Sequence, residues 1–229
     1  MSVDLARRPD LLGTAARAMW PNLPGLAMSG VLVCAALVPA VIVSAGLTPL
    51  AVLLTALVAG PVWAAAVDFG DRTARGDQVS VGYLMTAVRH RAGLGVRVAL
   101  PPALCAACTM VTLALWQQTR APWLLAPLGV GGAATLLTVV ATVAAFPVAI
   151  RTALRGRDLW LTSLAVVVAA PLRVLAVLCA LVVSVYVLGF SVSASLLLLL
   201  PGPLAVLVCV AVPTATPSPL STDAERPLP

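Results

Sequence analysis

Between Pro24 and Val212 the chain is a succession of apolar stretches, each about twenty residues or longer, separated by short clusters of arginine. That length matches the hydrocarbon thickness of a bilayer, and a helix is the element that satisfies its own backbone there. This pattern constrains the fold more than any single residue, and it predicts an all-α, polytopic membrane protein. Composition agrees: 61% of the 229 residues are hydrophobic, 10% are charged, and the mean hydropathy is +1.07. A soluble domain carries roughly a quarter charged residues, so soluble enzymes, nucleic-acid binders and secreted disulfide scaffolds are excluded.

Six spans are expected, at residues 24–46, 47–69, 94–116, 123–150, 172–190 and 192–212, within a membrane domain of residues 23–212. Residues 1–22 form an N-terminal amphipathic segment, with a short interfacial helix starting near Pro9. Arg7, Arg8, Asp10 and Arg17 precede a first apolar run long enough to span, which reads as a start-transfer anchor rather than a cleaved signal. Residues 213–229 are rich in Pro, Ser and Thr and are expected to be a disordered cytoplasmic tail.

All fourteen basic residues are arginine. Without lysine there is no Walker A loop, Schiff-base amine or Ser–Lys dyad. The pI near 9.7 is explained by cationic loops retained in the cytoplasm. With both termini inside, only Arg120 lies outside, which fixes the orientation in a bacterial plasma membrane. Trp20 and Trp160 then fall at the inner interface and Trp116 and Trp123 at the outer one.

Residues 72–77 (RTARGD) resemble residues 151–158 (RTALRGRD) if two one-residue insertions are allowed. Each follows a long apolar run and precedes another, which suggests a parallel internal repeat with halves around 47–117 and 123–190. A single span over residues 159–189 would bury Arg173 near mid-bilayer, at a cost of about 2.5–3.5 kcal/mol. The repeat removes that cost: residues 159–170 become an interfacial helix broken at Pro171, and the span starts at 172. The first copy would match it, with a helical stretch over 79–91 ahead of a span beginning near Leu94.

Little here supports chemistry. Cys34, Cys105, Cys108, Cys179 and Cys209 all lie in apolar runs, where cysteine acts as a small hydrophobe; the Cys105–Cys108 spacing is mid-span. Asp68-Phe69-Gly70 lacks the lysine and catalytic loop that a kinase magnesium site needs. Its bland reading is an exposed i,i+4 pair with Arg72, matched by Asp71 with Arg75, each worth about 0.3–0.5 kcal/mol. His90 is the only histidine, too few for a metal site. Asn22 is expected to cap or turn the start of the first span. Ala56, Gly60 and Ala64 line one helix face and Ala141, Ala145 and Ala149 another, which suits close helix packing. No catalytic, cofactor or metal residues are expected. The candidate contact residues are Arg72, Arg75, Arg89, Arg91, Arg151, Arg155, Arg157 and Arg173, forming one basic cytoplasmic surface toward anionic lipid head groups or a partner.

The run Gly60-Pro61-Val62-Trp63-Ala64-Ala65-Ala66, the basic residues 72–77 and the stretch 79–97 resemble the YesL-like family of bacterial membrane proteins of unknown function. Phe146-Pro147, Arg151, Pro171 and Leu200-Pro201-Gly202 are similar to that family's C-terminal pattern, and the likeness covers residues 10–212. The chain departs from the pattern at Val62-Trp63, where the family has Ala-Thr, and in lacking the family's lysines. The resemblance implies an accessory role beside a carbohydrate transporter complex. The expected function is therefore a non-enzymatic, partner-binding membrane protein. The alternative is a small permease with a path between the repeat halves, for which Ser29, Ser44, Thr55, Thr138, Thr142 and Ser184 are the only polar candidates.

Overall fold

The structure is a computed structural model that describes residues 13, 17, 19–44, 48–152, 154, 156–190 and 201–212. The start of the helix near Pro9, the tail 213–229, the start of the sixth span and Arg155 lie outside the described residues, while Gly13, Arg17 and Met19 are helical. Among the described residues seven α-helices with defined bounds follow one another: α1 (Leu23–Ser44), α2 (Pro49–Ala74), α3 (Val81–Thr119), α4 (Leu125–Arg151), α5 (Arg157–Ala169), α6 (Pro171–Phe190) and α7 (Pro201–Ala211). No strand occurs among the described residues. Pro49–Ala74, Val81–Thr119 and Pro122–Arg151 are long and apolar enough to cross a bilayer. Arg157–Ala169 with Pro171–Ala180 makes a fourth if that pair, bent by 96°, is one span.

The helix ends follow from local chemistry. Thr48 Oγ1 accepts from the Ala51 N–H at 3.2 Å, and Pro49 occupies the first turn of α2, where its missing N–H costs nothing. At the end of α3, Arg120 is left-handed (φ +52°) and donates its N–H to the Trp116 carbonyl at 2.8 Å. Its guanidinium lies 5.0 Å from the Trp116 ring centre, a cation–π contact against the roughly 1–2 kcal/mol cost of that conformation. A 3₁₀ turn, Pro122–Leu124, then leads into α4.

Helix α2 is the centre of the bundle, packed against α1, α3 and α7, and residues 64–71 are buried on every side. Small residues make that possible. A Cβ on Gly95 of α3 would stand 2.4 Å from the Gly60 carbonyl oxygen, so these two backbones touch. Likewise a Cβ on Gly70 would meet the Ala205 backbone at 2.9 Å, and one on Gly202 the Leu26 oxygen at 2.6 Å. Of the small-residue faces, Gly60, Ala64, Ala141, Ala145 and Ala149 are buried inside the chain's own bundle, whereas Ala56 is half-buried. Outward, Val130, Leu136, Leu137, Val168 and Leu172 are more than half exposed, as lipid-facing side chains are.

The helix break expected at Pro171 is present. Helix α5 ends at Ala169, Ala170 leaves helical geometry (φ −137°, ψ 59°), and α6 starts at Pro171, so residues 159–189 are not one straight helix. Thr73 and Thr152 occupy matched positions, and each hydroxyl donates to the carbonyl four residues back. Gly76 and Gly156, also matched, both have positive φ. The break expected before Leu94 is absent, however: α3 runs through for 39 residues, about 58 Å. Gly93 alone does not stop a helix. Even Pro101 and Pro102 are held in line, because Gly95, Val98, Pro102 and Ala103 are buried, while Pro171, Leu172 and Arg173 are exposed.

Candidate functional site: the arginine-rich end of the bundle

Asp68 and Asp71 are one turn apart on the fully buried part of α2 and are 4% and 3% exposed. Carboxylates so placed need partners from other helices. Asp68 accepts from the Tyr83 hydroxyl at 2.5 Å and from Arg91 Nη2 at 3.3 Å, both on α3. Arg72 does not pair with Asp68 as the i,i+4 spacing predicts. Its guanidinium instead lies over the Tyr83 ring, 4.3 Å from the centre, because Asp68 faces inward toward α3. Asp71 does bind Arg75, yet it is no exposed pair either, since it also receives Arg151.

Arg151 ties three helix ends together. Its Nε donates to Asp71 Oδ1 at 2.7 Å, its Nη1 to the Val212 carbonyl at 2.8 Å and its Nη2 to the Cys209 carbonyl at 2.7 Å. The last turn of any helix leaves carbonyls unpaired, and a cation there also complements the helix dipole. Arg151 therefore joins the C-terminal ends of α2, α4 and α7 through one planar fork, with its side chain 14% exposed.

Asn22 belongs to the same end. Its amide nitrogen donates to the Asp77 carbonyl at 3.0 Å, and its amide oxygen accepts from the Val79 N–H at 3.1 Å. It is 4% exposed and pins the loop after α2 to the start of α1. Sequence spacing of 55 and 57 residues gives no hint of these bonds. The loops after α2 and α4 thus meet at one end of the bundle, through Arg75 and Arg151 on Asp71.

Beside Arg151 a cleft of about 790 Å³ opens between α3, the end of α4 and the start of α5. His90, Arg91 and Arg97 line it from α3, Ile150 and Arg151 from α4, and Gly156, Leu159 and Trp160 from the α5 side. No carboxylate lines it among the described residues. His90 and Arg97 are exposed, and neither has a hydrogen bond or ion pair among the described residues.

The eight predicted contact arginines therefore separate. Arg72, Arg75, Arg91 and Arg151 are engaged as described, while Arg89, Arg157 and Arg173 are exposed. Arg155 is outside the described residues. Arg97 and His90 were missing from that set, although a helical projection places Arg97 with His90 and Leu94 on neighbouring turns. Among the described residues no group of three His, Cys, Asp or Glu side chains could hold a metal. No disulfide joins any of the five cysteines, and the Cys209 thiol donates to the Val67 carbonyl at 3.4 Å. No known family, no curated protein and no solved structure matches the chain.

Proposed function

We propose that this chain is a non-enzymatic, six-span protein of a bacterial plasma membrane that works by presenting its arginine-rich end to a partner on the cytoplasmic side. The observation that carries the reading is Arg151, which gathers the ends of α2, α4 and α7 at one level. Those are the helices that run from outside to inside in a six-span chain with both termini in the cytoplasm. Asn22, at the start of α1, and the loop it holds fall at that same end, as the arginine count requires. The parallel repeat belongs to this reading, supported by the paired Thr73/Thr152 and Gly76/Gly156 positions and weakened by the unbroken α3. Kinship with the YesL-like proteins is also part of the proposal. It rests on the motifs alone and suggests a carbohydrate transporter complex as the partner.

A solute path between the halves finds less support. Thr138 and Thr142 donate to carbonyls of their own helix at 2.7 and 2.6 Å, so their donor hydrogens are already used. Purification of the tagged protein in mild detergent tests the function. A transporter complex retained through purification is the expected result. Solute movement by the purified chain alone in liposomes would overturn it.

A further inference from the structure

The cleft beside Arg151 sits where charge ends in three helices at once. Along α3, Arg97 is the last charged residue before Arg120; α4 has none before Arg151; in α5 none follows Asp158 until Arg173. In a membrane this is the head-group level. The cations of the cleft are not equally committed. Asp71 offsets Arg151 and Asp68 offsets Arg91, leaving Arg97 without a carboxylate among the described residues. The lining also carries apolar side chains, Leu94, Val98, Ile150 and Leu159, together with Trp160. A volume of about 790 Å³ lies within the roughly 300–1,000 Å³ usual for small-ligand sites.

We propose that this cleft seats the phosphodiester head group of an anionic membrane lipid, with Arg97 and Arg91 on the phosphate and the glycerol end against Leu94, Ile150 and Trp160. A guanidinium matches phosphate oxygens through paired N–H groups, and an indole suits the boundary between head group and chain. A soluble phosphate would use the cations but leave the apolar wall bare. The site rests on the membrane reading above, but it does not depend on the protein partner proposed there.

The test is a titration of the purified full chain in neutral detergent, read by native mass spectrometry and by thermal denaturation. The probes are short-chain phosphatidylglycerol, phosphatidylcholine with the same chains, and inorganic phosphate. Phosphatidylglycerol is expected to bind more tightly than phosphatidylcholine and to raise the melting temperature, and inorganic phosphate at equal concentration to do neither. Arg97→Gln is expected to weaken phosphatidylglycerol binding about fivefold, and Arg173→Gln, which removes an equal charge outside the cleft, less than about twofold. Arg97 has no hydrogen bond or ion pair to lose among the described residues, so its variant should melt like the parent without lipid; the two-lipid comparison on the unmodified chain stands even if it does not. Equal retention of both lipids overturns the site, as does equal weakening by the two variants. Inorganic phosphate acting as well as the lipid overturns the lipid assignment. No transporter in the co-purification would sink the partner reading and leave this result untouched.

Discussion

Arg151→Gln removes the cation that Asp71 depends on and two of the donors that close the end of α7. Asp71 is 3% exposed, so water cannot replace the lost partner. Breaking a buried pair from one side costs about 3–5 kcal/mol. Arg75 remains on Asp71, but its side chain is 59% exposed, and such partners contribute only about 0.2–1 kcal/mol. A loss of about 3 kcal/mol is the expected balance. Asp71→Asn should cost less, about 1–2 kcal/mol, because Arg151 keeps the Cys209 and Val212 carbonyls and the new amide can still accept. The double variant should cost less than the two singles added, by about 1–2 kcal/mol, since both act on one contact. Unfolding of the full chain by SDS in mixed micelles, followed by far-UV circular dichroism, gives all three values. An Arg151→Gln loss below about 1 kcal/mol, or a larger loss for Asp71→Asn, would refute the view that Arg151 ties the helix ends.

Gly95→Ala is expected to destabilise by about 1–3 kcal/mol, because its Cβ would stand 2.4 Å from the Gly60 oxygen. Gly93→Ala, two residues earlier with nothing within 4 Å, should instead stabilise by up to about 1 kcal/mol in the same unfolding assay. Asn22→Ala loses both bonds to the loop after α2, about 1–2 kcal/mol, and should speed tryptic cleavage at Arg75. In a cysteine-free background, an impermeant thiol reagent applied outside the cell should label a cysteine at Gln118 and not one at Gly76 or Gly156; external labelling at Gly156 would reverse the proposed orientation.

Helix type and the helix break were legible because each has a local cause. Apolar length marks a spanning segment, and the Ala170-Pro171 step disrupts the helix where Pro171, Leu172 and Arg173 are exposed. The unbroken α3 was not legible, since the repeat sets the stretch 79–91 against the broken helix before Pro171, whereas α3 has no proline at that point and continues through Gly93 into the buried Gly95 and Val98. The site divides the same way. Asp71 with Arg75 is an i,i+4 pair that spacing alone finds. Asp68 with Tyr83 and Arg91, Asp71 with Arg151, and Asn22 with Val79 join positions 15 to 80 residues apart, and no periodicity encodes them.

Sorting arginines by partner changes what the basic end can do. On charge alone, Arg72, Arg75, Arg89, Arg91, Arg151, Arg155, Arg157 and Arg173 are interchangeable members of one patch. In the structure, Arg151 is a structural tie, Arg91 and Arg75 neutralise buried carboxylates, and Arg72 stacks on Tyr83. Such groups hold the helix ends in register, and removing them perturbs the fold before it perturbs binding. The cations left over are Arg89, Arg97, Arg157 and Arg173, which carry no ion pair among the described residues. Of these only Arg97 lines the cleft. A wholesale replacement of the patch by glutamine would therefore confound folding with recognition. Retaining Arg151 and Arg91 while replacing Arg89, Arg97, Arg157 and Arg173 keeps the bundle intact and takes away the uncommitted charge, so that what the variant fails to bind is what the basic end recognises.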